Sequence, residues 1–173
     1  MCQHGDSTKS IIACLVQELY PAIQHQFILI SSANDDEQIV SDVSRESLFE
    51  LVNDLKNEFQ SLTSYENRLV FPSVLKAFDR KLEHTDTGTP NIAELQQLTL
   101  GKEQKIAQII SDLCHEINEL PTGTASEIHR LVDLFNNDFT GQRMKWNKMI
   151  HDRLNNCACF IRMNDHNKIE INA

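Results

Sequence analysis

The chain is predicted to be all-α, an up-down-up-down four-helix bundle with a short extended or hairpin tail at its C-terminus. Three observations predict this. Apolar residues recur at spacings of three and four through four long stretches. Glycine (5) and proline (4) are scarce in 173 residues. Capping signals and short polar connections separate the later stretches. The length suits one domain with a sizeable core. The bundle is placed at residues 1–156 and the tail at 157–173.

The first helix is expected from about Thr8 to Ser31. Ile12, Val16, Leu19, Ile23, Phe27 and Ile30 mark its buried face, widened by Ile11, Leu15 and Tyr20. Pro21 lies inside it, so a kink or break is expected there. Residues 33–43 are polar and read as a loop. The second helix begins near Ser44 or Ser47 and carries Leu48, Val52, Leu55, Phe59, Leu62, Glu66 and Leu69. It continues through Val74, Leu75 and Phe78, and Pro72 is expected to bend it. A loop follows from His84 to Pro90.

Asn91 and Glu94 form a capping box for the third helix. Leu95, Leu98, Ile106, Ile109, Ile110, Leu113, Ile117 and Leu120 follow at helical spacing, with Gly101 weakening the middle. Pro121 to Gly123 ends it, and Thr124 with Glu127 caps the fourth. That helix carries Ile128, Val132, Phe135, Phe139, Trp146, Met149 and Ile150. Two short strands around a turn are expected from Phe160 to Ile171. An isolated hairpin is marginal, so this tail is expected to pack on the bundle or on a partner.

Net charge is −9, from 16 basic and 25 acidic side chains. That balance lacks the electrostatic footprint of a direct nucleic-acid binder. No apolar window of about 20 residues exists to span a membrane, and the N-terminus lacks the pattern of a signal peptide. A cytoplasmic location is expected. Arg143, Lys145, Lys148 and Arg153 make the last helix locally basic, which complements a helix C-terminus; a docking patch for an acidic partner is the alternative. The five cysteines form no disulfide framework. Cys14 and Cys114 read as small core residues. Cys157 and Cys159 form a Cys-x-Cys pair without the further ligands of a zinc site.

Glu66 stands out. It sits in an apolar seam, where a carboxylate must be paired, protonated or metal-bound. The sequence has no Glu-x-x-His pair of the di-metal bundles, no glycine-rich phosphate loop and no His-Glu-x-x-His. His25, His129 and His151 are the helical histidines that remain as candidate ligands.

Glu66-Asn-Arg-Leu-Val-Phe-Pro72 resembles the Glu-Glu-x-x-Leu-Phe-Pro run of hemerythrin-like proteins, especially the iron–sulfur cluster repair di-iron family. Leu19-Tyr-Pro21 resembles the Leu-Pro of that family's first helix. Leu100 to Leu113 and Asp138 to Asp152 resemble its third and last helices in spacing and position. The resemblance implies a bundle whose relatives bind two non-haem irons through histidines and carboxylates. It places Glu66 at a bridging-ligand position. The family's histidine before that glutamate falls at Leu62, and its third-helix histidine at about Leu100. Its last-helix His-x-x-x-Glu falls at Gln142 and Trp146, and its second helix-one histidine near Asn34.

The expectation is therefore a vestigial core site of Leu62, Glu66, Leu100, Gln142 and Trp146, with no catalytic residue, no metal and no cofactor. Gln142 and Trp146 are four apart and are expected to face the core together. Trp146 would fill the former metal cavity. Glu66 would accept from the Gln142 amide or the indole N–H. The expected function is a non-catalytic interaction or regulatory module with a protein partner or a second copy. The alternative is an iron-binding protein that senses or responds to oxygen or nitric oxide. A third possibility is a small apolar ligand in a residual cavity lined by Phe59, Leu62 and Trp146.

Overall fold

The computed structural model describes residues 7–36, 42–79, 92–120 and 126–153. These form four helices, with no strand among the described residues: α1 (8–36), α2 (42–79), α3 (Ile92–Asn118) and α4 (126–153). The expected hairpin, Cys157, Cys159 and the loop around His84 lie outside the described residues. No described helix is long and apolar enough to cross a membrane. Ser7 caps α1, its hydroxyl accepting from the Ser10 N–H at 3.1 Å.

α1 packs on α2 and α4, and α3 packs on the same two. One core lies between them. Phe27, Phe59, Phe135 and Phe139 form its centre, with ring centroids 5.1–6.4 Å apart and the last two stacked. Ile23, Leu55, Leu62, Ile106, Leu113 and Val132 surround them, all buried.

Three of the four helices contain a π turn: Leu15–Leu19, Glu66–Val70 and Asn137–Arg143. The N–H groups of Tyr20, Phe71 and Met144 reach the carbonyls of Leu15, Glu66 and Phe139, five residues back. Two of these turns end two residues before a proline, Pro21 and Pro72. Proline lacks an N–H and its ring collides with the carbonyl four residues back. The wider turn takes up that misfit, so both helices continue through their prolines without a break.

A π turn inserts one residue, and the buried face moves on by one position. In α2, Val70 is buried where Leu69 was expected, and Leu69 is exposed. In α4 the buried run is Phe135, Phe139, Arg143, Asn147 and Ile150. Steps of four would drift about 40° each on a regular helix; the π turn cancels much of that drift. In α3, which is regular, the stripe passes from Leu95 through Thr99 and Glu103 to Ile106, leaving Leu98 exposed. Thr99 is buried without penalty because its hydroxyl donates to the Leu95 carbonyl at 2.9 Å.

Candidate functional site

All four helices meet at one buried polar cluster: Tyr20 from α1, Glu66 from α2, Glu103 from α3, and Arg143 with Asn147 from α4. Glu66 is 1% exposed and Arg143 0%. The π turns place these residues. One ends immediately before Tyr20, one begins at Glu66, and one ends at Arg143.

The Arg143 guanidinium lies between two carboxylates. Its Nη2 donates to Glu66 Oε1 at 2.5 Å and its Nη1 to Glu103 Oε1 at 2.6 Å. Asn147 Nδ2 donates to the same two oxygens, at 3.0 and 2.7 Å. The Tyr20 hydroxyl donates to Glu66 Oε2. Below the guanidinium, the Phe139 ring centroid is 5.1 Å from Cζ, a cation–π contact. Arg143 Nε is buried without a protein acceptor.

The electrostatics follow from burial and charge. Burial alone lowers the pKa of Arg143, but the charges of Glu66, Tyr20 and Glu103 outweigh it, so the guanidinium is held more firmly charged than in water. Burial, and then the Glu66 carboxylate, push the Tyr20 phenol well above its ordinary range. Tyr20 is therefore a fixed neutral donor.

Of the residues singled out from the sequence, Leu62 and Glu66 are buried one turn apart on α2. The other three are not brought to them. Leu100 is 49% exposed. Gln142 is exposed, and its amide donates to Asp138 Oδ1 at 2.7 Å rather than to Glu66. Trp146 is half-buried and packs at the edge of the core. The α4 pair was expected on the core face because the resemblance sets ligand positions there and the two are four apart, a spacing that shares a face only on a regular helix. The π turn carries the core face onto Arg143 and Asn147 instead. Phe59 and Leu62 are fully buried among other core side chains, while Trp146 is only partly buried against that core.

The basic stretch of α4 also divides. Arg143 is internal, Arg153 donates to Thr8 Oγ1 at 3.4 Å, and Lys145 and Lys148 remain exposed. His25 is exposed, and His129 lies 3.3 Å from Asp133. His151 is half-buried beside the cluster, its Nδ1 enclosed and without a partner. Among the described residues no group of three or more His, Cys, Asp or Glu side chains is placed to hold a metal ion.

Sequence reasoning missed Arg143, Asn147 and Tyr20 as donors to Glu66, and Glu103 as the second carboxylate that shares Arg143 and Asn147. One signal was present: a carboxylate in an apolar seam calls for a cation, and arginine is the one best suited to bind two carboxylates at once. No protein-family model, no curated protein and no solved structure matches the chain.

Proposed function

We propose that the protein is a non-catalytic, regulatory or interaction module whose hemerythrin-like core holds an internal ion pair in place of a metal centre. The observation that carries this reading is the Arg143 guanidinium, buried between Glu66 and Glu103. Glu66 is the residue that the sequence resemblance sets at a bridging-ligand position. Its donors supply positive charge and N–H and O–H groups, where a metal centre would need electron-pair donors. A metal cation there would face a fixed guanidinium a few ångströms away.

The up-down-up-down topology that such a bundle requires is supported by the order of cross-helix contacts. Tyr20 meets Glu66 while Phe27 meets Phe59. Lys102 meets Ser61 while Lys105 meets Glu58. Arg153 meets Thr8 while Asp138 meets Gln26. In each pair of helices one number rises as the other falls.

With its carboxylates already engaged, the cluster has little chemical use beyond holding helices. Each carboxylate is engaged, and Glu66 is shut off from solvent. A module of this kind works through its surface, with a protein partner or a second copy. The test is elemental analysis of protein made in iron-rich medium and never exposed to chelator. Metal well below one equivalent per chain is expected. About two irons per chain, the stoichiometry of carboxylate-bridged bundles, would overturn the reading in favour of an oxygen- or nitric-oxide-responsive iron protein.

A further inference from the structure

An open cleft of about 620 Å³ runs between α3 and α4. Leu100 and Met144 give its lining apolar surface, and Gln96 and His151 line its end nearest the last described residue. Leu100 is half exposed. The described chain leaves the bundle beside this cleft: Arg153 lies two positions beyond His151.

Residues 154–173 carry the apolar run Phe160-Ile161-Arg162-Met163. The sequence reads this run as one arm of a hairpin, and an isolated hairpin needs a surface to pack on. Phe160 is seven residues past Arg153, an extended reach of about 23 Å. Met144 is nine residues back from Arg153 along α4, about 14 Å away. The run therefore reaches Leu100 and Met144 with length to spare for turning back.

Other exposed apolar side chains are worse placed. Leu134 is 19 residues from Arg153 on α4, about 28 Å, beyond that reach. Ile28 is as far from Thr8, which Arg153 contacts. Leu98 is on the far flank of α3, where Lys102, one turn on, meets Ser61 of α2.

We infer that Phe160–Met163 folds back over the α3–α4 cleft and covers Leu100 and Met144. The contact is apolar. Residues 154–173 hold two basic side chains, Arg162 and Lys168, and two acidic ones, Asp165 and Glu170, so they carry no net charge towards Lys145 and Lys148 at the cleft. Tethering gives the run a high effective concentration at the cleft, so a contact too weak to hold a free peptide is enough to fill it. A protein partner that uses this cleft must first displace the tail. That consequence deepens the interaction-module reading and rests on it; the docking itself does not.

The test is nuclear magnetic resonance of the full chain, labelled at the methyl groups of methionine and isoleucine. Through-space contacts are expected between the Met144 methyl and the side chains of Phe160 or Ile161. Leu100→Glu changes an exposed position. It is expected to abolish those contacts and to move the Met163 methyl signal to its position in a free peptide of residues 154–173. Phe160→Ser with Ile161→Ser, which leaves the four helices unaltered, is expected to release Met163 in the same way. Leu98→Glu, also at an exposed position, is expected to leave the contacts intact, as is raising the salt concentration about tenfold. Absence of contacts between Met144 and residues 160–163 would overturn the inference. So would release by Leu98→Glu as complete as by Leu100→Glu. Contacts between differently labelled copies in a mixed sample would overturn it too, by placing a second copy in the cleft. Iron content is read separately, so failure here is distinguishable from failure of the emptied-centre reading.

Discussion

Arg143→Met tests the central cluster most directly, because it keeps the volume and removes the charge. Two charge-assisted hydrogen bonds are lost, to Glu66 and to Glu103. At about 1.5–3 kcal/mol each, they sum to about 3–6 kcal/mol. Breaking a buried pair by removing one partner costs about 3–5 kcal/mol by direct comparison, because the remaining charge is uncompensated. Here two carboxylates are left facing one another. A loss of about 4 kcal/mol is expected, against a typical total of about 5–15 kcal/mol. With a urea m-value of about 2 kcal/mol/M, the unfolding midpoint falls by about 2 M.

The control is the triple substitution Glu66→Gln, Glu103→Gln and Arg143→Met. Glutamine keeps one acceptor oxygen at each position, enough for Tyr20 at 66 and Asn147 at 103, and all three charges are gone, although each glutamine adds a neutral buried NH2 donor. The triple variant is expected to regain more than half of the loss. The assay is urea unfolding followed by far-ultraviolet circular dichroism. An Arg143→Met protein within about 1 kcal/mol of the parent would refute the claim of an uncompensated buried charge. So would a triple variant less stable than the single one.

Two other outcomes are expected. Burial lowers the pKa of His151 from its ordinary value of 6.5. Below that value the unfolded chain takes up a proton that the folded chain resists, so this contribution to stability is complete above pH 6.5 and is lost as pH falls. Unfolding curves between about pH 7 and 5.5 are expected to show that slope, and His151→Gln to flatten it; an unchanged slope would refute the assignment. Gly101 lies within α3, and a Cβ there meets nothing within 4 Å. Gly101→Ala is expected to stabilise by about 0.5–1 kcal/mol in thermal or urea unfolding, through helix propensity alone.

How much of this was legible depends on the kind of helix. The all-α character, the number of helices and most of the α3 stripe follow from apolar spacing, which a regular helix converts directly into a face. Leu62, Glu66, Phe135 and Phe139 are placed correctly because they precede any π turn on their helix or lie at its beginning. At two of the turns the same logic slips by one residue, at Leu69 in α2 and at the Gln142 and Trp146 pair in α4, while Ile23, Phe27, Ile30, Val74 and Ile150 beyond the turns are buried as their spacing predicts. Nothing in apolar periodicity announces an inserted residue. The prolines gave a partial warning in α1 and α2, but were read as breaks or bends. In α4 no proline gives even that. Arg143 was counted among surface charges because composition weighs a charge by its usual location, whereas Glu66 had already raised the question that Arg143 answers.

The three π turns and the ion cluster explain one another. A helix with an inserted residue is less regular than its α-helical alternative, and it persists only where side-chain contacts require the shifted register. If the turn in α4 reverted to a regular helix, Gln142 and Trp146 would face Glu66 in place of Arg143 and Asn147. That state would leave two carboxylates in the core without their cation, at the cost of several kcal/mol expected for an unpaired buried charge. A wholly apolar core would stabilise both registers nearly equally, because hydrophobic contact is not directional. The buried pair therefore acts on which arrangement forms more than on how stable it is. The triple variant separates these effects: it is expected to stay folded while its amide exchange protection across residues 137–143 falls, as the two registers become comparable in energy. Protection in that segment equal to the parent's would mean that the α4 register is set by the phenylalanine packing of Phe135 and Phe139 alone.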